Sequence, residues 1–370
     1  MTDRHPAVIW CFNAGSSSLK AAAFRCTPSS EDPLGEYEYD LQQPGDLNVA
    51  FTAATTELRR QEVPEPDAIG HRVVHGGPAH WEPTVVDPVV LRDLEAACLF
   101  APAHQQASLD VVHAATTAFG DLTQVACFDT GFHHELPDVA RVLPVSSVTA
   151  PEMRKYGFHG LSCESIVSTL GRDLGPRTVI AHLGSGASLT AVRDGRSVDT
   201  TMGLTPLGGI PMSTRSGDLD PGVVMHLVRT EGLDADGLQQ RIGHESGLLA
   251  WSGRSGDMRV LLSSSADDPR AAFAVEAFGY AVRKQIGALG AALQGIDVLV
   301  FAGGIGEHSA AVRTRICDGL EYLGIELDVD ANQRGAGVIS MPDSGCTVRV
   351  VASDENRIVA RHTAAVLNSR

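Results

Sequence analysis

The sequence has no long apolar run, no CxxC pair and a shortage of positive charge. Each of these lacks excludes something. No stretch approaches the roughly 18 consecutive apolar residues of a membrane-spanning helix. The seven cysteines, Cys11, Cys26, Cys98, Cys127, Cys163, Cys317 and Cys346, are odd in number and scattered. They suit neither a disulfide framework nor a zinc site, and they point to a reducing compartment. Lys and Arg number 29 against 45 Asp and Glu, a net charge of −16. That argues against nucleic acid or an anionic membrane as partner. The opening "MTDRHPAVIWCF" has only a short apolar run before Asn13, which reads as a strand rather than a signal peptide. A cytoplasmic protein is expected.

What is present suits a soluble globular chain, with 43% hydrophobic and 20% charged residues. A length of 370 residues is long for one core and comfortable for two domains. Val8–Phe12 reads as a buried strand, 13–18 as a turn and Leu19–Phe24 as a second strand. "GEYEYDL" reads as an edge strand. "DAIGHRVVHGG" is a strand ending in a glycine turn. "DPVVLRDLEAACLFA" (Asp87–Ala101) has helical spacing, and "QASLDVVHAATTAFG" is a helix stopping at Gly120. "TQVACFDTGFHH" is a strand running into a loop. Strands and helices alternate, which predicts an α/β layered domain. About 170 residues later, "RTVIAHLGSGASLTAVRDGRSVDTT" repeats the opening plan of strand, small-residue turn and Ser-Leu-x-Ala, so a duplicated unit is predicted. "PRAAFAVEAFGYAVRKQIGALGAAL" is a long helix. "IDVLVFAGGIGEHSAAVRTRI" is strand, glycine turn and helix. The tail from Ser353 reads as a capped helix ending near Leu367.

Three glycine turns are candidate phosphate or nucleotide sites. "NAGSSSLK" is not a Walker loop, because Leu19 precedes Lys20 and apolar residues flank it as in a hairpin. A Gly-Ser hairpin turn can still converge N–H groups and hydroxyls on one anion, with Lys20 adding charge. A plain hairpin turn is the other reading. The second turn, "HLGSGAS", favours a pair of turns clamping a nucleotide's phosphates. "FAGGIGEHS" lacks the third glycine of a dinucleotide fingerprint. It remains a place where something flat or anionic could meet a helix start, or a tight strand-to-helix turn.

Arg72 in "GHRVVHGG" and Arg215 in "MSTRSGDLDPG" sit among apolar residues and glycines rather than other charges. Two such guanidinium groups suit an anionic substrate and a transferring phosphoryl group, or each braces a turn through carbonyls. His71 and His75 have helical metal-pair spacing but lie on a strand, so the pair fails. His104, His159 and His182 sit at strand or loop edges, where a hydrogen-bonded structural histidine is the default. Asp129 ends a buried strand, a usual place for an active-site carboxylate. Glu355 lies in a helix first turn, where acids commonly complement the dipole. Asp218 and Asp220 read as caps before Pro221.

Taken in order, "NAGSSSLK", "GHRVVHGG", "APAH", "FDTGFH", "RKYGFHG", "HLGSGAS", "TTMGLTPLGG", "STRSGDLDPG", "AGGIGE" and "SDENRIVAR" resemble the acetate kinase family over nearly the whole chain. The resemblance implies two duplicated ribonuclease-H-like domains of the actin and sugar-kinase type around an ATP cleft. It divides the chain into 1–133 with 357–370, and 134–356. It implies transfer of the γ-phosphoryl of ATP to acetate, with Mg²⁺ or Mn²⁺, in a homodimer paired through the second domain. Asn13 and Glu355 would hold the metal, with Asp129 close by. Ser16, Ser18 and Lys20 would form the first phosphate turn. Arg72 and Arg215 would grip the carboxylate and the phosphoryl group. His159 would stabilise the transition state, assisted by His104 and His182. Gly184, Ser185 and Gly186 would contact the ATP phosphates. Asp257, Met258 and Arg259, with Gly304, Ile305 and Gly306, would line the adenosine pocket. Val74, Ala103, Phe158 and Pro206 would form the pocket for the substrate methyl group.

The chain departs from the family pattern at Ser185, Leu161, Cys163, Ala103, Gln105, Gln106, Gly208 and His308. Ala103 stands where leucine is usual, which widens the expected pocket and admits propionate or another short-chain carboxylate. A nucleotide-binding clamp without catalysis is the second reading, and the arginine and histidine set speaks against it. A dinucleotide oxidoreductase is the third, and the missing fingerprint speaks against that.

Overall fold

The computed structural model describes residues 6–15, 18–41, 46–145 and 152–369, with Ala103 by its backbone alone. Ser16 lies outside the described residues. The chain divides into two compact units, Met1–His134 with Gly160–Ser165 and Asp354–Arg370, and Glu135–His159 with Ile166–Ser353.

In the first unit, six strands form one sheet: β1 (Ala7–Ala14), β2 (Ser18–Cys26), β3 (Glu31–Asp40), β4 (Ala68–Val73), β5 (Thr84–Val85) and β6 (Gln124–Phe128). Their order is β3-β2-β1-β4-β6-β5. β1 runs antiparallel to β2 and parallel to β4, and β4 runs parallel to β6. β1 is apolar from Ala7 to Phe12, as a strand covered on both faces must be. Val8, Trp10, Phe12 and Ala14 pack in one cluster with the helices Leu47–Arg60 and Pro102–Phe119. Ile9 and Cys11 point the other way, into a cluster with Ile358, Val359 and Ala360 of the helix Glu355–Asn368. This is the two-residue period of a strand. Each fully buried large side chain of this kind stabilises by about 1.5–3 kcal/mol. Trp10 also donates its indole N–H to Pro64 O at 3.0 Å. β3 is the edge, and its alternating exposure with Pro33 fits that place.

The second unit repeats the plan. β7 (Arg177–Leu183), β8 (Ala187–Arg193), β9 (Arg196–Thr200), β10 (Val298–Ala302) and β11 (Thr347–Val350) lie in the order β11-β10-β7-β8-β9. β7 pairs antiparallel with β8 and parallel with β10, as β1 does with β2 and β4. Even the register shift between the second and third strands recurs, at Ala23/Phe24 and at Ala191/Val192. The duplicated strand–turn–strand unit predicted from the repeated motif is present, and the family resemblance implied the two ribonuclease-H-like sheets built on it.

Some boundaries differ from the sequence reading. Asp87 caps a helix that stops at Ala96, and residues 97–100 continue as a tighter 3₁₀ turn. Asp354, not Ser353, caps the last helix, its carboxylate accepting from Arg357 N. The helices at 47–60 and 160–170 add to the elements predicted from sequence, although Leu47, Ala50, Phe51, Ala54 and Leu58 recur at helical spacing in the first. Their N-cap residues are Asp46 and His159, with no side-chain cap bond at either. None of the seven cysteines is in a disulfide. Among the described residues no helix is long and apolar enough to cross a membrane.

Candidate active site

In the first unit the sheet register delivers the candidates. Asn13 near the end of β1 stands beside Arg72 on β4. Arg72 pairs in turn with Cys127 on β6, two residues before Asp129. Side chains at the carboxyl ends of adjacent parallel strands are where this kind of layered protein places a site.

Arg72 is nearly buried and Asp129 is fully so, at 12% and 1% side-chain exposure. Nε of Arg72 donates to Asp129 Oδ2 at 3.0 Å, Nη2 donates to the same oxygen, and Nη1 donates to Ala14 O at 3.0 Å. Asp129 Oδ1 is buried and has no hydrogen-bond partner among the described residues. Burial pushes the Asp129 carboxyl up to about 6 against the pull of Arg72, with Glu355 adding to the rise. Burial opposes the charge on Arg72, yet Asp129 and Glu355 outweigh it and hold the guanidinium charged. Asn13 Nδ2 donates to Glu355 Oε2 at 2.7 Å, which ties β1 to the first turn of the last helix.

The described residues hold no cluster of three His, Cys, Asp or Glu that could bind a metal. The donors here are hard oxygens, and one of them, Asp129 Oδ1, is buried and unclaimed. This fits Mg²⁺, which takes one or two carboxylates and keeps water and phosphate oxygens for the rest.

Ser18 and Lys20 face Glu38 across the sheet edge. Ser18 Oγ donates to Glu38 Oε1 at 2.8 Å, and Lys20 Nζ lies 3.8 Å from the same oxygen. Glu38 was not singled out from sequence, and its alternating edge-strand setting gave no signal. His71 is buried, its Nε2 against Gln124 Oε1 at 2.7 Å, and burial lowers its pKa to about 4. It is a neutral structural histidine. Gln105 is also buried. Its Oε1 accepts from His75 N at 3.0 Å, and its Nε2 donates to His75 O and Leu94 O. It therefore fastens the turn after β4, a role not legible in "APAHQQ". His104 sits in the first turn of the helix Pro102–Phe119, and Val74 is buried.

In the second unit the turn Gly184–Gly186 joins β7 to β8, with Gly184 N donating to Gly186 O at 3.0 Å. His159 lies against it. Its backbone is left-handed, φ +59, at the start of the helix Gly160–Leu170. A non-glycine residue in that region is uncommon and concentrates at functional positions. His159 Nδ1 pairs with Ser188 Oγ at 2.9 Å, and its ring stacks on His182 at 4.4 Å between centroids. A Cβ at Gly186 would meet His159 Nε2 at 3.3 Å and Arg215 Nη1 and Nη2 at 3.5 Å. His159, His182, Arg215 and the glycine turn therefore form one group. Ser188, the residue that orients His159, was quoted in "HLGSGAS" but given no role.

Arg215 Nη1 donates to Pro206 O at 3.0 Å. Its loop is pinned by backbone bonds from Met212 N to Arg215 O, Ser213 N to Ser185 O and Ser216 N to Ile242 O. Pro206 and Phe158 are buried. Asp218 accepts from Gly209 N and Asp220 caps the helix Pro221–Glu231.

At the third glycine turn, Gly303 N donates to Glu307 Oε1 at 2.9 Å, so the helix's own carboxylate fills its start. That disfavours a phosphate there. A Cβ at Gly304, however, would meet nothing within 4 Å, so a flat group has room over this backbone. Ile305 and Gly306 continue the same short helix. Asp257 caps the helix Met258–Ser264 and pairs with the exposed Arg259, while Met258 is buried.

A family model described as the Acetokinase family matches residues 34–361. The acetate kinase of Rhodopseudomonas palustris (strain TIE-1) is 41% identical over 388 residues, spanning 96% of this chain and 97% of that protein. The acetate kinase of Nitrobacter hamburgensis is 40% identical over 389 residues, spanning 97% of this chain and 96% of that protein. Among solved structures, an acetate kinase from Porphyromonas gingivalis superimposes with a TM-score of 0.84 at 32% identity, covering 98% of this chain and all of that one. A propionate kinase from Francisella tularensis gives a TM-score of 0.88 at 31% identity, covering 97% of this chain and 99% of that one.

Proposed function

The chain belongs to the acetokinase family, and from that premise we propose that it transfers the γ-phosphoryl group of ATP to acetate, giving acetyl phosphate and ADP. The observation that carries the reading is the buried Arg72–Asp129 pair with one carboxylate oxygen unclaimed.

Acetate is already an anion at neutral pH, so attack on the γ-phosphorus needs no general base. One P–O bond forms to the carboxylate oxygen, the bond to the β-phosphate oxygen breaks, and the negative charge passes to ADP. The barrier is the meeting of two anions, and positioning plus positive charge lower it. Arg72 has five N–H donors; three are held by Asp129 and Ala14, and the remaining two can grip a carboxylate or phosphoryl oxygen. Arg215 supplies a second guanidinium beside His159 and the glycine turn. His159, fixed by Ser188 and stacked on His182, donates from Nε2 to the equatorial oxygens as charge develops. Asn13, Asp129 and Glu355 would hold Mg²⁺, which screens the β- and γ-phosphate charge when bound. By the family resemblance, Gly184–Gly186 in the second unit and Ser18 and Lys20 in the first would take phosphate oxygens, and the open backbone at Gly304 would leave room for the adenine. By the same resemblance, Val74, Ala103 and His104 of the first unit and Phe158 and Pro206 of the second would be the residues that receive the acid. The family resemblance further implies a homodimer paired through the second unit and a cytoplasmic location.

A second reading, propionate or another short-chain carboxylate as substrate alongside acetate, is favoured by Ala103 in place of the usual leucine. The test is acyl-phosphate formation with ATP and Mg²⁺, trapped as the hydroxamate, on acetate, propionate and butyrate. Turnover on acetate or propionate is expected. No product from any acid, in protein that still binds ATP, would overturn the kinase reading and leave a nucleotide-binding clamp.

A further inference from the structure

The segment Gly160–Ser165 belongs to the same unit as Asp129 and Glu355 and touches the surroundings of both. Gly160 N donates to Asp129 O at 2.8 Å. A Cβ at position 160 would lie 2.2 Å from that oxygen, so the helix start rests backbone against backbone on Asp129. At the other end of the segment, buried Ser165 accepts the N–H of Asp354 at 2.9 Å, one residue before Glu355. Leu161 packs with Cys127, Ile358, Val359 and Ala360.

Between these anchors stands one ion pair. Glu164 Oε1 lies 2.7 Å from His362 Nε2. Their side chains are 31% and 21% exposed, so the pair is only partly screened by water. His362 follows Glu355 by seven residues, two turns along one helix, and so lies on the same face. Burial opposes charge on its ring, but the neighbouring Cys127 and Glu164 outweigh that and raise its pKa to about 10.

We propose that Glu164 and His362 are a positioning pair that fixes Glu355 relative to Asp129, and so sets the metal affinity of the site. The proposal rests on the reading of Asp129 and Glu355 as metal-side residues. The pair locks rotation and sliding of the last helix against the helix Gly160–Leu170. The Ser165–Asp354 bond sets the helix start, and the ion pair two turns later prevents it from pivoting about that point.

The test uses Glu164→Gln, His362→Gln and the reversed pair Glu164→Lys with His362→Glu. Two quantities are measured: the Mg²⁺ concentration for half-maximal phosphotransfer, and Mn²⁺·ADP affinity by electron paramagnetic resonance, which needs no turnover. Each single variant is expected to raise the metal requirement about tenfold, or about 1.4 kcal/mol. The KM for acetate should stay within about twofold, and the reversed pair should recover most of the loss. A merely structural pair would lower thermal stability and leave metal requirement and Mn²⁺·ADP affinity unchanged, and that result overturns the proposal. A reversed pair no better than the singles also overturns it. Should the singles not fold, Ser165→Ala removes the acceptor of Asp354 N–H without altering charge. A rise in metal requirement of about threefold supports the proposal, and no change overturns it. Wild type that binds Mn²⁺·ADP yet makes no acyl phosphate overturns the kinase reading instead, and the binding measurement still decides the pair.

Discussion

Arg72 places two of its donors on one oxygen of Asp129 and leaves the other oxygen of that carboxylate buried and unclaimed. Arg72→Lys keeps the charge and loses the fork. The compact, strongly hydrated ammonium cannot hold Asp129, Ala14 and a substrate anion at once. The expected fall in kcat/KM is about 10²–10³-fold, the size of one lost transition-state donor. Side-by-side kinetics at fixed Mg²⁺ check it, and a fall of less than about fivefold would remove Arg72 from the mechanism.

The proton affinity of Asp129 sets a pH limb. The carboxylate must be ionised to meet a cation, and burial has raised its pKa to about 6. Activity therefore falls on the acid side, about tenfold per pH unit below that value. Proton and metal compete for the same oxygen, so raising Mg²⁺ should move the limb to lower pH. A limb that ignores Mg²⁺ would assign it to another group.

Gly186→Ala tests the grouping in the second unit. Its new methyl would press on His159 Nε2 at 3.3 Å and on the Arg215 guanidinium at 3.5 Å. His159 must give by a few tenths of an ångström, while Arg215 stays in ordinary van der Waals contact, and reaction geometry is sensitive to such a shift of the imidazole. A loss of about tenfold in kcat is expected, with folding intact. Circular dichroism and kcat measured together check this.

Ala103 bears on substrate choice. A methylene is worth roughly 1–3 kcal/mol in an apolar pocket, or about 10–200-fold. Propionate should be used about as well as acetate, and Ala103→Leu should shift the kcat/KM ratio toward acetate by about tenfold or more. A ratio unchanged by the substitution would place residue 103 outside the pocket.

Much of this was legible in residue order. The strand–turn–strand repeat at "NAGSSSLK" and "HLGSGAS" foretold two sheets of one topology, because covered central strands must be apolar and their turns small. Arg72 and Asp129 were legible as charged groups among apolar neighbours. Glu38, Gln105, Ser188 and Glu307 were not. Glu307 closes on Gly303 at the start of its own helix; the other three act on a residue distant in the chain or across a sheet edge, and nothing in their own neighbourhoods distinguishes them from ordinary polar side chains. The ion pair between Glu164 and His362 spans 198 residues and was equally silent.

The sequence by itself determined the layered α/β plan and its duplication, and through the family resemblance it named the candidate residues for phosphoryl transfer. Hydrophobic period, turn chemistry and residue type are local properties. The tertiary structure alone decided which oxygen of Asp129 stays free, how His159 is turned and what holds Glu355. Those depend on strand register and on close backbone approach, as where Gly160 meets Asp129, and neither exists until distant segments have packed.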